Sequence, residues 1–186
     1  MGVSSRSVSP SREESPFALL GLEPAFDLDV TALERTHREL SRALHPDRYV
    51  GAPPGERRQA LDRAVLVNQA FRVVRDPLSR AEALFALRGV PLGDGHEPKP
   101  SQAFLMDVLE WREELGDAKA GRDAARVAAL GAVAREGTAR VLRALASAFE
   151  ADADLHSGVA LLGELRFFRR FADEVSAAED DLLDAP

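Results

Sequence analysis

Apolar positions along this chain recur at spacings of three and four, and strand-like alternation bounded by turns is missing throughout. The pattern predicts an all-α protein. Pro16 through Leu20 reads as a short first helix ending near Gly21. Val30, Leu33, His37, Leu40 and Leu44 fall on one face of a second helix. Its start is signalled by Asp29 or by Thr31, since Thr31 and Glu34 have capping-box spacing. Pro46 ends it, because the residue before a proline avoids the helical region. After a loop holding Gly51, Pro53, Pro54 and Gly55, a third helix is expected from about Glu56 to Arg75. Its stripe would be Leu61, Ala64, Asn68, Phe71 and Val74 or Arg75. Asp76-Pro77 then reads as a cap followed by proline at the first position of a fourth helix, ending near Arg88.

The segment Gly89–Pro100 contains three glycines and three prolines in a polar setting, and is the natural linker. Beyond it Ser101 caps a helix through Leu115, whose stripe is Phe104, Val108, Trp111 and Leu115. An Ala-rich helix is expected from about Ala118 to Glu150, interrupted by Gly121, Gly131 and Gly137. Each mid-helix glycine costs about 1 kcal/mol relative to alanine, so this helix must depend on packing. A last helix, about Gly158 to Asp181, carries Leu165, Phe168, Phe171 or Ala172, and Val175 on its inner face. Three helices of this size suit a small antiparallel bundle. The expected organisation is a disordered tail over 1–15, a helical domain over 16–88, a linker over 89–100 and a bundle over 101–186.

Charge sharpens the division. The net charge of the 186 residues is −7, which disfavours a general nucleic-acid binder. From Phe17 to Arg88 there are 11 basic against 10 acidic residues, whereas from Gly89 to Pro186 there are 11 against 19. A balanced half and an acidic half point to two modules with different partners. Cysteine is absent, which excludes disulfides, thiolate metal sites and a cysteine nucleophile. No run approaches the roughly 20 apolar residues that span a bilayer, and Met1 to Ser15 lacks the apolar stretch of a secretory signal. The cytoplasm is the default, with no membrane contact.

The candidate chemistry lies between the second and third helices, at His45-Pro46-Asp47. Arg35, Arg38 and Arg42 at i, i+3 and i+7 share a stripe opposite the Leu33/His37/Leu40/Leu44 face, and Arg48 follows the tripeptide. Three arginines on a helix are by themselves only a solvated face. A tripeptide in this position, with a short helix before the pair and an Asp-Pro helix after it, resembles a J-domain. Phe17-Ala18-Leu19-Leu20-Gly21-Leu22, Val67-Asn68-Gln69-Ala70-Phe71 and Asp76-Pro77-Leu78-Ser79-Arg80-Ala81-Glu82 all look like the HscB family. In the second half, Phe104-Leu105-Met106, Trp111-Arg112-Glu113-Glu114-Leu115 and Leu165-Arg166-Phe167 extend the likeness.

The resemblance implies a J-domain followed by a C-terminal three-helix bundle in an L shape. It implies that His45, Pro46, Asp47, Arg35, Arg38, Arg42 and Arg48 engage an HscA- or DnaK-type ATPase chaperone and stimulate it. Arg48 stands where the family usually has lysine, and His37 falls where HscB proteins tend to have an aromatic.

The helix after the linker has more apolar surface than a bundle edge needs. Leu105, Met106 and Leu109 form a second stripe, extended by Glu113 and flanked by Glu110. Apolar residues ringed by carboxylates suit a partner, although such a stripe also serves to pack against another helix. Leu105, Met106, Leu109 and Phe167 match the positions at which HscB proteins bind the iron–sulfur scaffold protein IscU. The resemblance pairs Glu110 and Glu113 with basic groups on that scaffold. The implied role is an adaptor in iron–sulfur cluster biogenesis, without catalytic residue, cofactor or metal of its own.

Rival readings remain open at this point. A general DnaK co-chaperone would keep the J-domain and change the client. Weak self-association through Leu105, Met106 and Leu109 would make the bundle a structural element. An enzymatic reading of His45 and Asp47 lacks a third catalytic member and a Gly-x-Ser-x-Gly elbow. His37, His45, His96 and His156 show no metal-ligand spacing.

Overall fold

The computed structural model describes residues 15–93, 100–150 and 155–183, without the side chains of residues 156 and 157. The expected tail as far as residue 14, most of the expected linker, and the side chains of His96 and His156 lie outside the described residues. Every element among the described residues longer than an isolated bridge is helical. The chain divides into two compact units, Met1–Leu92 and Gly93–Pro186.

The first unit holds α1 (Pro16–Leu19), α2 (Val30–Ala43), a 3-10 turn (Pro46–Tyr49), α3 (Pro54–Arg75) and α4 (Pro77–Leu87). Ser15, placed in the tail by the sequence, belongs to the fold. It is fully buried, and its Oγ accepts the Ala18 N–H at 3.1 Å, so α1 has a side-chain cap. Asp29 rather than Thr31 caps α2, accepting from the Ala32 N–H at 3.1 Å. Asp76 caps α4 through the Ser79 N–H at 3.0 Å, with Pro77 at the first helical position. These local signals decide where helices begin.

Helices α2 and α3 form an antiparallel hairpin: Glu34 pairs with Arg75 at 3.2 Å, and His37 stacks on Phe71 with ring centroids 3.9 Å apart. The face of α3 that enters the core differs from the expected one. Ala60, Val67, Ala70 and Val74 are buried, whereas Leu61 and Asn68 are exposed. The buried stripe is rotated because α1, α2 and α4 all contact α3, and close approach favours its small residues. On α2 only Leu33 is fully buried; Val30 at the helix end is open to solvent. Arg80 on α4 is a buried cation. Its Nη1 donates to the Val74 carbonyl at 3.0 Å and its guanidinium lies 5.0 Å from the Phe26 ring centroid. Burial lowers its pKa, opposed by Asp27 and Asp76.

The second unit is a three-helix bundle of α5 (Gln102–Ala120), α6 (Ala124–Glu150) and α7 (Leu155–Leu183). The expected break between its first two helices moves from Leu115 to Ala120, and Gly121 ends a helix instead of interrupting one. Arg122 takes a left-handed conformation (φ 54°), and the Asp123 N–H closes back onto the Ala118 carbonyl at 2.9 Å. Asp123 then caps α6 by accepting the Arg126 N–H at 3.0 Å.

Leu115, Ala118, Val127, Leu130, Ala134, Phe171, Val175 and Ala178 form one core cluster. Above it, Phe104, Trp111, Phe167, Phe168 and Phe171 form an aromatic group with centroids 5.4 to 6.3 Å apart. Gly137 is required there, because a Cβ at that position would land within the Phe168 ring.

Candidate functional site

The turn after α2 is built by its own sequence. Leu44 caps the helix, and His45 is extended (φ −62°, ψ 134°) because Pro46 follows it. Pro46 opens the 3-10 turn, and the Arg48 N–H closes onto the His45 carbonyl at 3.0 Å. His45 Nδ1 accepts the Asp47 N–H at 3.3 Å. Asp47 Oδ2 lies 3.5 Å from the same nitrogen. Tyr49 Oη donates to the Ala43 carbonyl at 3.4 Å, tying the turn back to α2.

Both side chains face solvent, His45 at 58% and Asp47 at 87% exposure. Among the described residues nothing desolvates the pair or orients a reacting group beside it. Arg35, Arg38, Arg42 and Arg48 are all exposed, and none has an ion pair among the described residues. Glu39 flanks the stripe, while Glu34 is taken by Arg75. The four guanidinium groups are therefore free to meet an anionic surface. His37 is not part of this face: it stacks on Phe71, pairs with Asn68 Oδ1 at 2.8 Å, and stiffens the hairpin behind the arginines.

The second face lies on α5. Ser101 Oγ accepts the Phe104 N–H at 3.2 Å and starts the helix so that Phe104, Leu115 and Ala118 point inward. Leu105, Met106 and Leu109 are left 49%, 62% and 62% exposed, so no described part of the chain covers them. Glu110 and Glu113 stand beside them, exposed and without ion pairs among the described residues.

Phe167 comes from α7, and two ion pairs explain its position. Arg112 meets Glu174 at 3.2 Å and Lys119 meets Asp181 at 3.6 Å. In this parallel register residue n of α5 stands level with residue n+62 of α7, which sets Leu105 level with Phe167. Phe167 is half-buried, stacked on Trp111 and Phe171, with the Arg112 guanidinium 5.9 Å from its ring centroid. It is a rim residue of the aromatic core whose outer side borders the Leu105/Leu109 stripe.

Two neighbours were missed by the sequence reading. Asp117 continues the acidic row one turn beyond Glu113, a signal present as i+4 spacing. Arg112 shares the face at i+3 from Leu109, but its ties to Phe167 and Glu174 are tertiary. A further apolar patch on α3, Leu61, Val65 and Leu66, is exposed where the sequence placed Leu61 in the core. Among the described residues, no group of three or more potential ligands could hold a metal ion, and no helix is long and apolar enough to cross a membrane.

Comparison with known proteins accounts for both halves. Residues 100–176 match the family described as the HSCB C-terminal oligomerisation domain. The co-chaperone protein HscB homolog of Burkholderia multivorans is 37% identical over 167 residues, covering 90% of this chain and 95% of that protein. Its counterpart in Pseudoalteromonas atlantica is 38% identical over 90% of this chain and 98% of that protein. The solved structure of chaperone HscB from Vibrio cholerae superposes with a TM-score of 0.78 at 30% identity, covering 90% of this chain and 99% of that one. An all-α chain with an N-terminal J-domain, its His-Pro-Asp turn exposed beside unpaired arginines, and a C-terminal helical bundle is thus matched over nearly its whole length, and it belongs to the HscB co-chaperone family.

Proposed function

We propose that this co-chaperone works as a two-ended adaptor in iron–sulfur cluster assembly. Its J-domain, over residues 16–88, engages an HscA- or DnaK-type ATPase through His45, Pro46, Asp47, Arg35, Arg38, Arg42 and Arg48, and stimulates ATP hydrolysis. Its bundle, over residues 101–186, holds an IscU-type scaffold protein on Leu105, Met106, Leu109 and Phe167, with Glu110 and Glu113 at the rim. The chemistry belongs to the ATPase, and the adaptor makes client arrival and hydrolysis coincide.

The observation that carries this reading is the contrast between two uncovered surfaces. One unit offers unpaired cations beside an exposed turn, and the other offers exposed apolar side chains beside unpaired carboxylates. Large apolar side chains cost about 1.5–3 kcal/mol each when held in water rather than buried, so three on one helix face favour a partner. Set against association costs of about 4–15 kcal/mol, such a patch by itself supports a weak, readily reversible contact. A delivery protein needs that reversibility.

The deciding experiment is the steady-state ATPase rate of the cognate chaperone with this protein, with and without scaffold. Synergy lost in both His45→Gln and Met106→Ser is the expected result. Stimulation that scaffold leaves unchanged would retain the J-domain and point to other clients of a DnaK-type chaperone. No stimulation by the wild-type protein would refute the adaptor reading. The oligomerisation named in the matched family supports weak self-association as a second use of the same apolar face. Light scattering before and after Leu105→Ser tests it.

A further inference from the structure

We propose that Glu174 and Asp181 of α7 are specificity-determining residues that set the charge of the α5 docking face for a partner whose patch is apolar and rimmed by lysine or arginine. The inference rests on the reading that Leu105, Leu109 and Phe167 form that face. On its outer side between Leu105 and Lys119, α5 supplies three carboxylates, Glu110, Glu113 and Asp117, and two cations, Arg112 and Lys119. Alone this row is close to neutral, at −1. Each cation is paired across the seam, Arg112 with Glu174 at 3.2 Å and Lys119 with Asp181 at 3.6 Å. The two α7 acids offset the two α5 cations and leave Glu110, Glu113 and Asp117 as the uncompensated charges of α5, with the exposed Arg170 of α7 one turn before Glu174. Glu114 stands apart on the other side of α5, paired with Arg126 of α6.

Stability does not explain these pairs. All four side chains are between 43% and 71% exposed, where ion pairs contribute little to folding. Their effect is on the field that an approaching partner meets. Arg112 sits at the α5–α7 seam beside the patch, 5.9 Å from the Phe167 ring centroid, where an unpaired guanidinium would repel a basic rim. Glu174 neutralises it and draws it over the ring, so the cation forms part of the contact surface without opposing the partner's charge. Asp181 neutralises Lys119 two turns further along.

The test is association kinetics of the full chain with a purified, cluster-free IscU-type scaffold protein across a range of salt. Glu174→Gln with Asp181→Asn is expected to slow association by roughly three- to tenfold at low salt, with the difference closing at high salt and dissociation little changed. Adding Arg112→Gln and Lys119→Gln returns the face to its wild-type net charge and is expected to restore the association rate, a rescue that a merely structural role would not give. Leu105→Ser serves as the independent check on the face itself. If Leu105→Ser weakens binding and the two α7 substitutions leave the association rate and its salt dependence unchanged, the charge-setting role is wrong while the face stands. Failure of the fourfold neutral variant to recover would overturn it equally. Undiminished binding by Leu105→Ser would remove the face and this inference with it.

Discussion

Gly131 and Gly137 lie six residues apart on α6, and the same substitution should move stability in opposite directions at the two sites. Glycine to alanine in a helix interior gains about 1 kcal/mol through backbone entropy alone. At Gly131 the new methyl meets Arg135 Nη1 at 3.2 Å and Val175 Cγ1 at 3.4 Å. The first is the far end of a flexible side chain and the second is an ordinary contact, so Gly131→Ala should stabilise by about 0.5–1 kcal/mol.

At Gly137 the methyl would overlap the Phe168 ring, which is 1% exposed and held by three aromatic neighbours at 5.4 to 5.6 Å. Overpacking of this kind costs about 1–3 kcal/mol against a helix gain of about 1 kcal/mol, and an overlap this deep lies at the upper end, so Gly137→Ala should destabilise by up to about 2 kcal/mol. Trp111 is the sole tryptophan and packs against Phe168, so its fluorescence during thermal or urea unfolding reports on the bundle. A difference of about 2 kcal/mol between the variants corresponds to roughly 10 °C in Tm for a unit of this size. Phe167 borders the proposed docking face, so Gly137→Ala should also weaken scaffold binding while Gly131→Ala leaves it unchanged. Equal Tm shifts, or a Gly137→Ala variant more stable than Gly131→Ala, would refute the assignment of Gly137 to close packing.

Other parts of the fold give separate tests. Arg80→Ala should destabilise the first unit by about 2–3 kcal/mol, since it strips the Phe26 contact and a buried hydrogen bond to the Val74 carbonyl, and Arg80→Lys should recover only part of this; urea unfolding followed by circular dichroism measures both. Asp123→Ala removes the α6 cap and should cost about 1 kcal/mol, read as a lower Tm by Trp111 fluorescence. His37→Ala should lose about 0.5–1.5 kcal/mol of ring stacking, while His37→Phe should keep most of it, as judged by thermal unfolding. A destabilised His37→Phe would mean that the Asn68 hydrogen bond, not the stack, holds the hairpin.

Signals confined to a few neighbouring residues were legible in the chain. Asp29, Asp76 and Ser101 each cap the helix expected to follow them, because a cap is a bond between side chain and backbone three residues apart. Pro46 ends α2 and shapes the His-Pro-Asp turn for the same local reason. The arginine stripe and the surplus Leu105/Met106/Leu109 stripe follow from helical geometry within one element. Asp123 was equally local and still escaped notice, since alanine on both sides of the turn keeps the helical pattern running.

Relations between helices were not legible. That α3 buries Ala60 and Ala70 and exposes Leu61 was decided by its contacts with three other helices, which favour small residues where backbones come close. The sequence marked Gly137 as a weakness, whereas its lack of a side chain is what admits Phe168. Phe167 stands level with Leu105, and Arg112 meets Glu174, only because α5 and α7 lock in one register among those that two amphipathic helices could adopt. One helix's periodicity says which residues face inward, but the side chain that meets each of them is chosen by interdigitation across the core. The chain thus determined its helices, its exposed turn and the stripes proposed to dock a partner, and tertiary packing decided how those residues combine into a face and what charge that face carries.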